Sequence, residues 1–389
     1  MDDETRRYRI MAVKRFENGE DCGTICASLG KSKTWLYKWV KRYKEDGQSW
    51  PEDHSRRPLT NPLHTGSDIE EMIRVIRSSL AAKDLFCGAQ AILWEMEDLG
   101  IVPLPSIRTI NRILERGGLV KSRKGGYKPV GTLYPVLPSL RPNQTHQADL
   151  VGPCYLKGPV RFFSLNVLDT STFRCGIHPC QSLAGQAILD GIWGIWKRMG
   201  IPERIQVDNA MSFFGSPTHP RGMGPLIRLC LQNGVEPWFI PMSEPWRNGM
   251  IESFNDRYQQ MFLGKRVMSS REELEKESLE FEQRHNSRYR YSKLKGYTPM
   301  KALEMSRAHL RFPMEENAPV HRIKKPETGR YHVVRLIRND LRINIFGECF
   351  AVPPETHREY VTATIEVREQ KLKLFLDAKQ IDELDYKLR

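Results

Sequence analysis

The apolar pattern of this chain changes period near residue 143, and that change limits what it can build. Up to residue 118 the apolar residues recur at helical spacing, in two sets of three short helices. From 143 onward, short apolar runs of the strand type alternate with helical stretches. A chain of 389 residues with so mixed a pattern exceeds one ordinary core, so several domains are expected.

The first set occupies residues 1–46. Residues 9–18 carry Ile10, Val13 and Phe16 on one face, and Gly19 ends that run. Residues 21–29 form a short helix that Gly30 stops, and Ser32 is placed to cap a longer helix over 33–45. Its apolar face holds Trp35, Leu36, Trp39 and Val40. A short helix, a tight turn and a longer helix make a helix-turn-helix. Lys31, Lys33, Lys38, Lys41, Arg42 and Lys44 crowd the stretch 31–44 with no acid among them, and Thr34 sits beside them. That is the charge a helix needs to enter a major groove, although a solvated basic face would read the same way.

Residues 47–66 are polar and proline-containing, an extended basic linker. Within it Arg56 and Arg57 suit a minor-groove arm, or a plain tether. Residues 67–120 repeat the theme with helices over 67–82, 88–99 and 106–116, capped at Ser106. Arg108, Thr109 and Arg112 are the DNA-facing candidates of this second helix-turn-helix. Lys121, Arg123 and Lys124 follow in a linker over 121–142.

The net charge is +13, and a chain this basic meets a polyanion, nucleic acid first. Its bunching in helices and linkers favours DNA over a diffusely basic surface. The eight cysteines are scattered through apolar runs, unlike a disulfide framework, and Cys22 and Cys26 read as core. No signal region and no run of about 18 uncharged apolar residues stands out, so a cytoplasmic place is expected.

Residues 143–265 carry strand-like runs at 145–155, 162–169, 175–179, 204–208 and 237–241, with helices at 183–199, 225–232 and 248–263. That order predicts a mixed α/β sheet. Residues 266–325 read as a charged helical connector, with 272–284 polar enough to space two domains. Residues 326–389 alternate again around turn signals at Asn339-Asp340 and Phe346-Gly347, which predicts a small β-barrel.

Three acids stand where separate pieces of backbone can deliver them to one point. Asp149 lies in the strand THQADLVGPCY, Asp208 closes the run RIQVD, and Glu252 lies in RNGMIESFN at the opening of an amphipathic helix. Three carboxylates can hold two divalent ions that clamp the attacking and leaving oxygens of a phosphodiester. Their hard oxygens suit Mg²⁺ or Mn²⁺. Asp149 could bridge both ions, with Asp208 and Glu252 each holding one.

Glu244 competes for the third place. Thirty-five residues separate it from Asp208, and 43 separate Glu252 from Asp208. Glu244, however, precedes Pro245 in a loop. Glu252 is one turn into a helix that Ile251, Phe254, Tyr258, Met261 and Phe262 anchor, and an anchored helix places a ligand accurately. Asp169 reads as a turn residue, His146 and His178 as sheet packing, and Trp246 as packing beside the helix.

Residues 145–172, the Val207-Asp208-Asn209 element and residues 247–255 resemble the catalytic core of DDE transposases and retroviral integrases, in the ribonuclease H-like superfamily. The whole chain resembles a bacterial insertion-sequence transposase. The implied fold is multidomain: all-α helix-turn-helix units, an α/β ribonuclease H-like core and a small C-terminal β-barrel. Asp149, Asp208 and Glu252 fall on the family's three carboxylate positions. Asn209 matches the residue after the second Asp. Pro245, Asn248 and Gly249 match the segment before the Glu, and Ser253, Phe254 and Asn255 the segment after it.

The chain departs from the family's pattern in two places. The usual gap before the Glu is the one that Glu244 would satisfy, and the Gly/Pro-rich loop over 215–224 accounts for the excess. Ala210 stands where the family often has Gly.

The resemblance implies a polynucleotidyl transferase and endonuclease that uses two Mg²⁺ ions to hydrolyse transposon ends. It then joins their 3′-OH to target DNA, acting as a dimer or larger on double-stranded DNA. A bacterial, nucleoid-associated place and no zinc domain are implied with it. A DNA-binding regulator that does not cut, or a simple nuclease of the same fold, are the competing readings.

Overall fold

The computed structural model describes residues 3–53, 65–120, 134–215, 218–319 and 323–389. Arg56, Arg57, Lys121, Arg123 and Lys124 lie outside the described residues. The chain divides into two units, Met1–Gly66 and Ser67–Arg389.

In the first unit, α1 (Asp3–Glu17), α2 (Cys22–Leu29) and α3 (Lys33–Glu45) follow one another. Asp21 accepts the Thr24 N–H at 3.0 Å and Ser32 that of Trp35 at 3.2 Å, partners that a first helical turn cannot supply itself. Gly30 takes a left-handed φ of 61°, which lets the chain leave α2 sharply. Val13, Ile25, Leu36 and Trp39 form the core. The Arg9 guanidinium lies 3.9 Å from the centroid of Trp39 and donates to the Pro51 carbonyl at 2.6 Å and to Asp53 at 3.0 Å. It ties the segment after α3 back to α1.

The second unit begins with α4 (Ser67–Ala82), α5 (Ala89–Asp98) and α6 (Ile107–Arg116), packed around Ile73, Ile92, Met96, Ile110 and Ile113. This triple is docked on the rest of its unit. Asp98 pairs with Arg290 at 2.6 Å, Asp84 pairs with Lys265 at 2.5 Å, and Phe86 meets Tyr289 edge-on at 4.7 Å. Gly296, at φ 86°, passes so near that a Cβ there would lie 2.9 Å from Trp94 Nε1.

The sheet region starts with β1 (Thr145–Tyr155), β2 (Arg161–Asp169) and β3 (Cys175–Cys180). Then come α7 (Gly185–Met199), β4 (Arg204–Val207), α8 (Met211–Phe214), α9 (Pro225–Gln232) and β5 (Glu236–Phe239). Helices α10 (Gly249–Tyr258), α11 (Arg271–Arg288) and α12 (Pro299–Ser306) come next. The chain closes on β6 (Arg330–Leu336), β7 (Arg342–Ile345), β8 (Glu348–Ala351), β9 (Tyr360–Glu366), β10 (Lys371–Leu376) and β11 (Lys379–Asp385).

Nine strands form one sheet in the order β11-β10-β9-β6-β5-β4-β1-β2-β3. Strand β2, buried along almost its whole length, shows why the run is so apolar: both faces of the sheet are covered. Ile188, Ile192, Trp196 and Leu226, from α7 and α9, pack on one face against Leu165 and Val167. Phe254, Tyr258 and Phe281, from α10 and α11, pack on the other against Phe162 and Leu168.

Two expectations are corrected. The C-terminal strands close no barrel among the described residues. Strand β6 instead pairs in parallel with β5, Trp238 opposite His332 and Phe239 opposite Val333, so the C-terminal segment extends the same open sheet. Strands β7 and β8 form a separate two-stranded ribbon whose turn stacks Phe346 on Phe214 at 4.6 Å. The apolar alternation identified strands but not the edge on which they would pair.

Helix α11 is not a spacer. Its Glu282 accepts the Ile177 N–H at 2.7 Å, and Asn286 both accepts from Cys175 N and donates to Cys175 O at 2.9 Å. The polar residues that made it look solvated cover the open edge of β3.

Candidate active site

The first two acids each stand in a Gln-X-Asp sequence, Gln147-Ala148-Asp149 within β1 and Gln206-Val207-Asp208 at the end of β4. Strands β1 and β4 run parallel with Gln147 opposite Gln206. Side chains two residues apart share a face of an extended strand. Asp149 therefore lies on the face of Gln147, one pleat further on, and Asp208 follows directly on the end of β4, two residues after Gln206.

The glutamines hold α10 against that face. Gln147 Oε1 accepts the Ile251 N–H at 3.0 Å, which satisfies a donor in the first turn of the helix. Gln206 Nε2 donates to the Arg247 carbonyl at 2.8 Å and to Asn248 Oδ1 at 3.3 Å, and Asn248 Nδ2 donates to the Ala148 carbonyl at 3.2 Å. Pinned in this way, α10 sets Glu252, in its first turn, where its charge bears on Asp149.

Asp149 is held on both oxygens. Oδ1 accepts the Leu150 N–H and Oδ2 accepts Asn255 Nδ2, each at 2.8 Å. Asn255 lies one helical turn after Glu252. Its Oδ1 accepts from Asn166 Nδ2 at 2.8 Å, and Asn166 Oδ1 accepts from Ser164 at 2.8 Å. Asn166 faces Asp149 across the β1–β2 ladder. Asp208 Oδ1 accepts the Ala210 N–H at 3.0 Å.

The electrostatics are those of an uncompensated acidic cluster. Asp149 is pushed up to about 6, by burial first, and further by the negative charges of Asp208 and Glu252. Burial also raises Asp208, and burial followed by the nearby Asp256 raises Glu252. Among the described residues, no Lys or Arg pairs with any of the three.

An all-carboxylate set with partly free lone pairs and no cation beside it fits a hard divalent ion such as Mg²⁺. Among the described residues, no three His, Cys, Asp or Glu side chains are gathered tightly enough to surround a single ion. Asp149 feels the charge of the other two acids, and the described residues form no one closed cage.

The rival acid is engaged elsewhere. Glu244 accepts from Arg247 Nε at 2.9 Å and from the Tyr360 hydroxyl at 2.7 Å. Asp169, wholly buried at the end of β2, accepts the N–H groups of Ser171 and Thr172 at 3.3 Å and serves its turn. His146, pushed down to about 3 by burial and by Arg174, is bonded to Asn143 at 3.0 Å.

The candidate DNA-facing residues differ in how free they are. Lys31, Lys33, Thr34, Lys38 and Lys41 are exposed, with Lys33, Thr34, Lys38 and Lys41 lining one groove along α3. Arg42 is half-buried. It donates to the Glu52 carbonyl at 3.0 Å and lies 4.9 Å from the Trp39 centroid, a packing role within the unit. On α6, Arg108 and Arg112 are exposed, whereas the Thr109 hydroxyl lies 2.9 Å from Ser106 Oγ at the helix cap.

Sequence reasoning missed the work of Gln147, Gln206, Asn166 and Ser164. The signal was present: polar residues inside runs that are otherwise apolar must find buried partners.

Two family models match the chain, a homeodomain-like domain over residues 3–49 and an integrase core domain over residues 233–299. The second spans both Glu244 and Glu252. Among solved structures, the chain resembles the HTLV-2 integrase catalytic core domain in complex with magnesium, at 13% identity and a TM-score of 0.32. That match covers 42% of this chain and 99% of that one. It also resembles the simian T-cell lymphotropic virus intasome in complex with the PP2A regulatory subunit B56 gamma, at 12% identity and a TM-score of 0.37, covering 80% of this chain and 97% of that one. The chain is therefore a helix-turn-helix DNA-binding protein with an integrase core, of the polynucleotidyl transferase kind. In carrying these two domains it resembles the integrase-like transposases. Among the described residues, no helix is long and apolar enough to cross a membrane.

Proposed function

We propose that this protein binds the terminal inverted repeats of a transposon, cleaves their ends and joins the freed 3′-OH to target DNA. The observation that carries this reading is that the charges of Asp208 and Glu252 both bear on the buried Asp149, while among the described residues no Lys or Arg pairs with any of the three. These three carboxylates would hold two Mg²⁺ ions, with Mn²⁺ as a substitute. The ions supply charge neutralisation on the phosphate and acidify water for attack.

The protein's own residues do the positioning. Asn255 and the Leu150 N–H fix the Asp149 carboxylate, and Gln147 and Gln206 fix the helix that brings Glu252. Lys31, Lys33, Thr34, Lys38 and Lys41 on one unit, and Arg108 and Arg112 on the other, bind the duplex chiefly through its phosphates. Arg56, Arg57, Lys121, Arg123 and Lys124 add to this from the segments 47–66 and 121–142. The domain division is 1–46, 47–66, 67–120, 121–142 and 143–265, followed by the segments 266–325 and 326–389. Two transposon ends call for two active sites, so the protein acts as a dimer or larger on DNA, in the bacterial nucleoid.

The experiment is incubation with DNA that carries the inverted repeats flanking the gene, in Mg²⁺. Cleaved and joined products are expected. Asp149→Asn or Asp208→Asn should remove both products and leave DNA binding intact. The competing reading is a regulator that binds DNA without cutting. Binding with neither cleavage nor joining in Mg²⁺ or Mn²⁺ would establish that reading instead. Cleavage without joining would indicate a simple nuclease.

A further inference from the structure

Arg335 lies on β6, in the C-terminal extension of the sheet, and is 6% exposed. Among the described residues, no carboxylate pairs with it. Burial strips a guanidinium of its hydration, and only hydrogen bonds to its donors offset that cost. Here every hydrogen-bond partner among the described residues is neutral. Nη2 donates to Asn209 Oδ1 at 2.8 Å, Nη1 to the carbonyls of Ile240 at 3.1 Å and Val334 at 2.9 Å, and Nε to that of Asn344 at 3.0 Å.

Asn209 follows Asp208 directly. Its Nδ2 donates to the same Ile240 carbonyl at 2.6 Å, and the Ile240 N–H donates to the Val207 carbonyl at 3.1 Å. The residues on both sides of Asp208 are thus tied to the end of β5. On the Asn209 side the tie runs through a guanidinium 126 residues further along the chain. Strand β4 ends at Val207, so no ladder fixes the backbone of Asp208.

We propose that Arg335 is a positioning residue for Asp208, acting through Asn209. The C-terminal strands are in this way part of the support of the metal-holding carboxylates. The planar fork of Arg335 reaches Asn209, Ile240 and Asn344 together, which neither a lysine ammonium nor an apolar side chain can do. The inference rests on the reading of Asp208 as a metal-holding acid.

The test is Mn²⁺ titration of the full chain, followed by electron paramagnetic resonance of the bound ion. It compares Arg335→Met, Asn209→Ala, the double variant and Asp208→Asn. Residues that orient ligands typically change metal affinity about 10–100-fold, and a loss in that range is expected for each single variant. The double variant should be no worse than the worse single, because both break one link. DNA binding should be unchanged, and end cleavage should need correspondingly more metal.

Wild-type Mn²⁺ binding by Arg335→Met and Asn209→Ala, with binding lost in Asp208→Asn, overturns the inference and leaves the site standing. Additive losses in the double variant also overturn it. Unchanged binding in Asp208→Asn removes the site reading, and this inference with it. Where Arg335→Met does not fold, as judged by its melting curve, half-buried Asn209→Ala decides alone.

Discussion

The turn over 244–248 and the helix α10 after it each carry an acid, and the protein treats the two differently. Glu244 is neutralised. Arg247 and Tyr360 both donate to it, and Arg247 in turn donates to the Tyr360 hydroxyl at 2.7 Å and lies 4.3 Å from the centroid of Tyr134. Glu252 has no such partner among the described residues; its nearest influence is a second acid, Asp256, one turn on. Spacing along the chain favours Glu244. What makes a carboxylate available to an ion is its freedom from other cations, and on that ground the two exchange places.

Four substitutions break or sharpen this contrast. Glu252→Gln should lower strand transfer more than about a hundredfold, beyond what residues that merely orient ligands cause, with DNA binding retained. Loss of transfer in Glu244→Gln, with Glu252→Gln still active, would reverse the assignment. Asn255→Ala removes a donor from Asp149 and should slow end cleavage by about 10–100-fold, measured at saturating metal. A rate equal to that of the wild type would show that Leu150 N–H alone suffices to hold the carboxylate.

Glu244→Gln leaves the partly buried Arg247 without its charge partner. A loss of about 1–3 kcal/mol of stability is expected in urea melts, while the chemistry per folded molecule persists. Tyr360→Phe deletes one hydroxyl from the same cluster and should cost about 1 kcal/mol with turnover unchanged. A drop in turnover there would mean that the turn reports to the acids after all.

The helices before residue 118 were legible because their signals are local. Ser32 and Ser106 cap them, Gly30 breaks one, and the apolar residues keep helical spacing. The strand character of the C-terminal segment, as in the runs over 341–346 and 372–376, was legible for the same reason. Its architecture was not, because alternation states which face is buried and says nothing of which edge will accept a partner. The misreading of α11 has a related cause: charged and amide side chains that cover a sheet edge look, in one dimension, like side chains that face water.

By itself the sequence determined the elements, the basic faces and three acids placed at strand, strand end and helix start, since each depends on a few neighbouring residues. The repeated Gln-X-Asp was also written in it, although its meaning needs two strands side by side in one register. Only the tertiary structure decided which acid stays free. That depends on Arg247 and Tyr360, and the support of Asp208 depends on Arg335. Tyr360 and Arg335 arrive from more than a hundred residues away. Ion pairing and burial are set by distance in space, which local sequence does not contain.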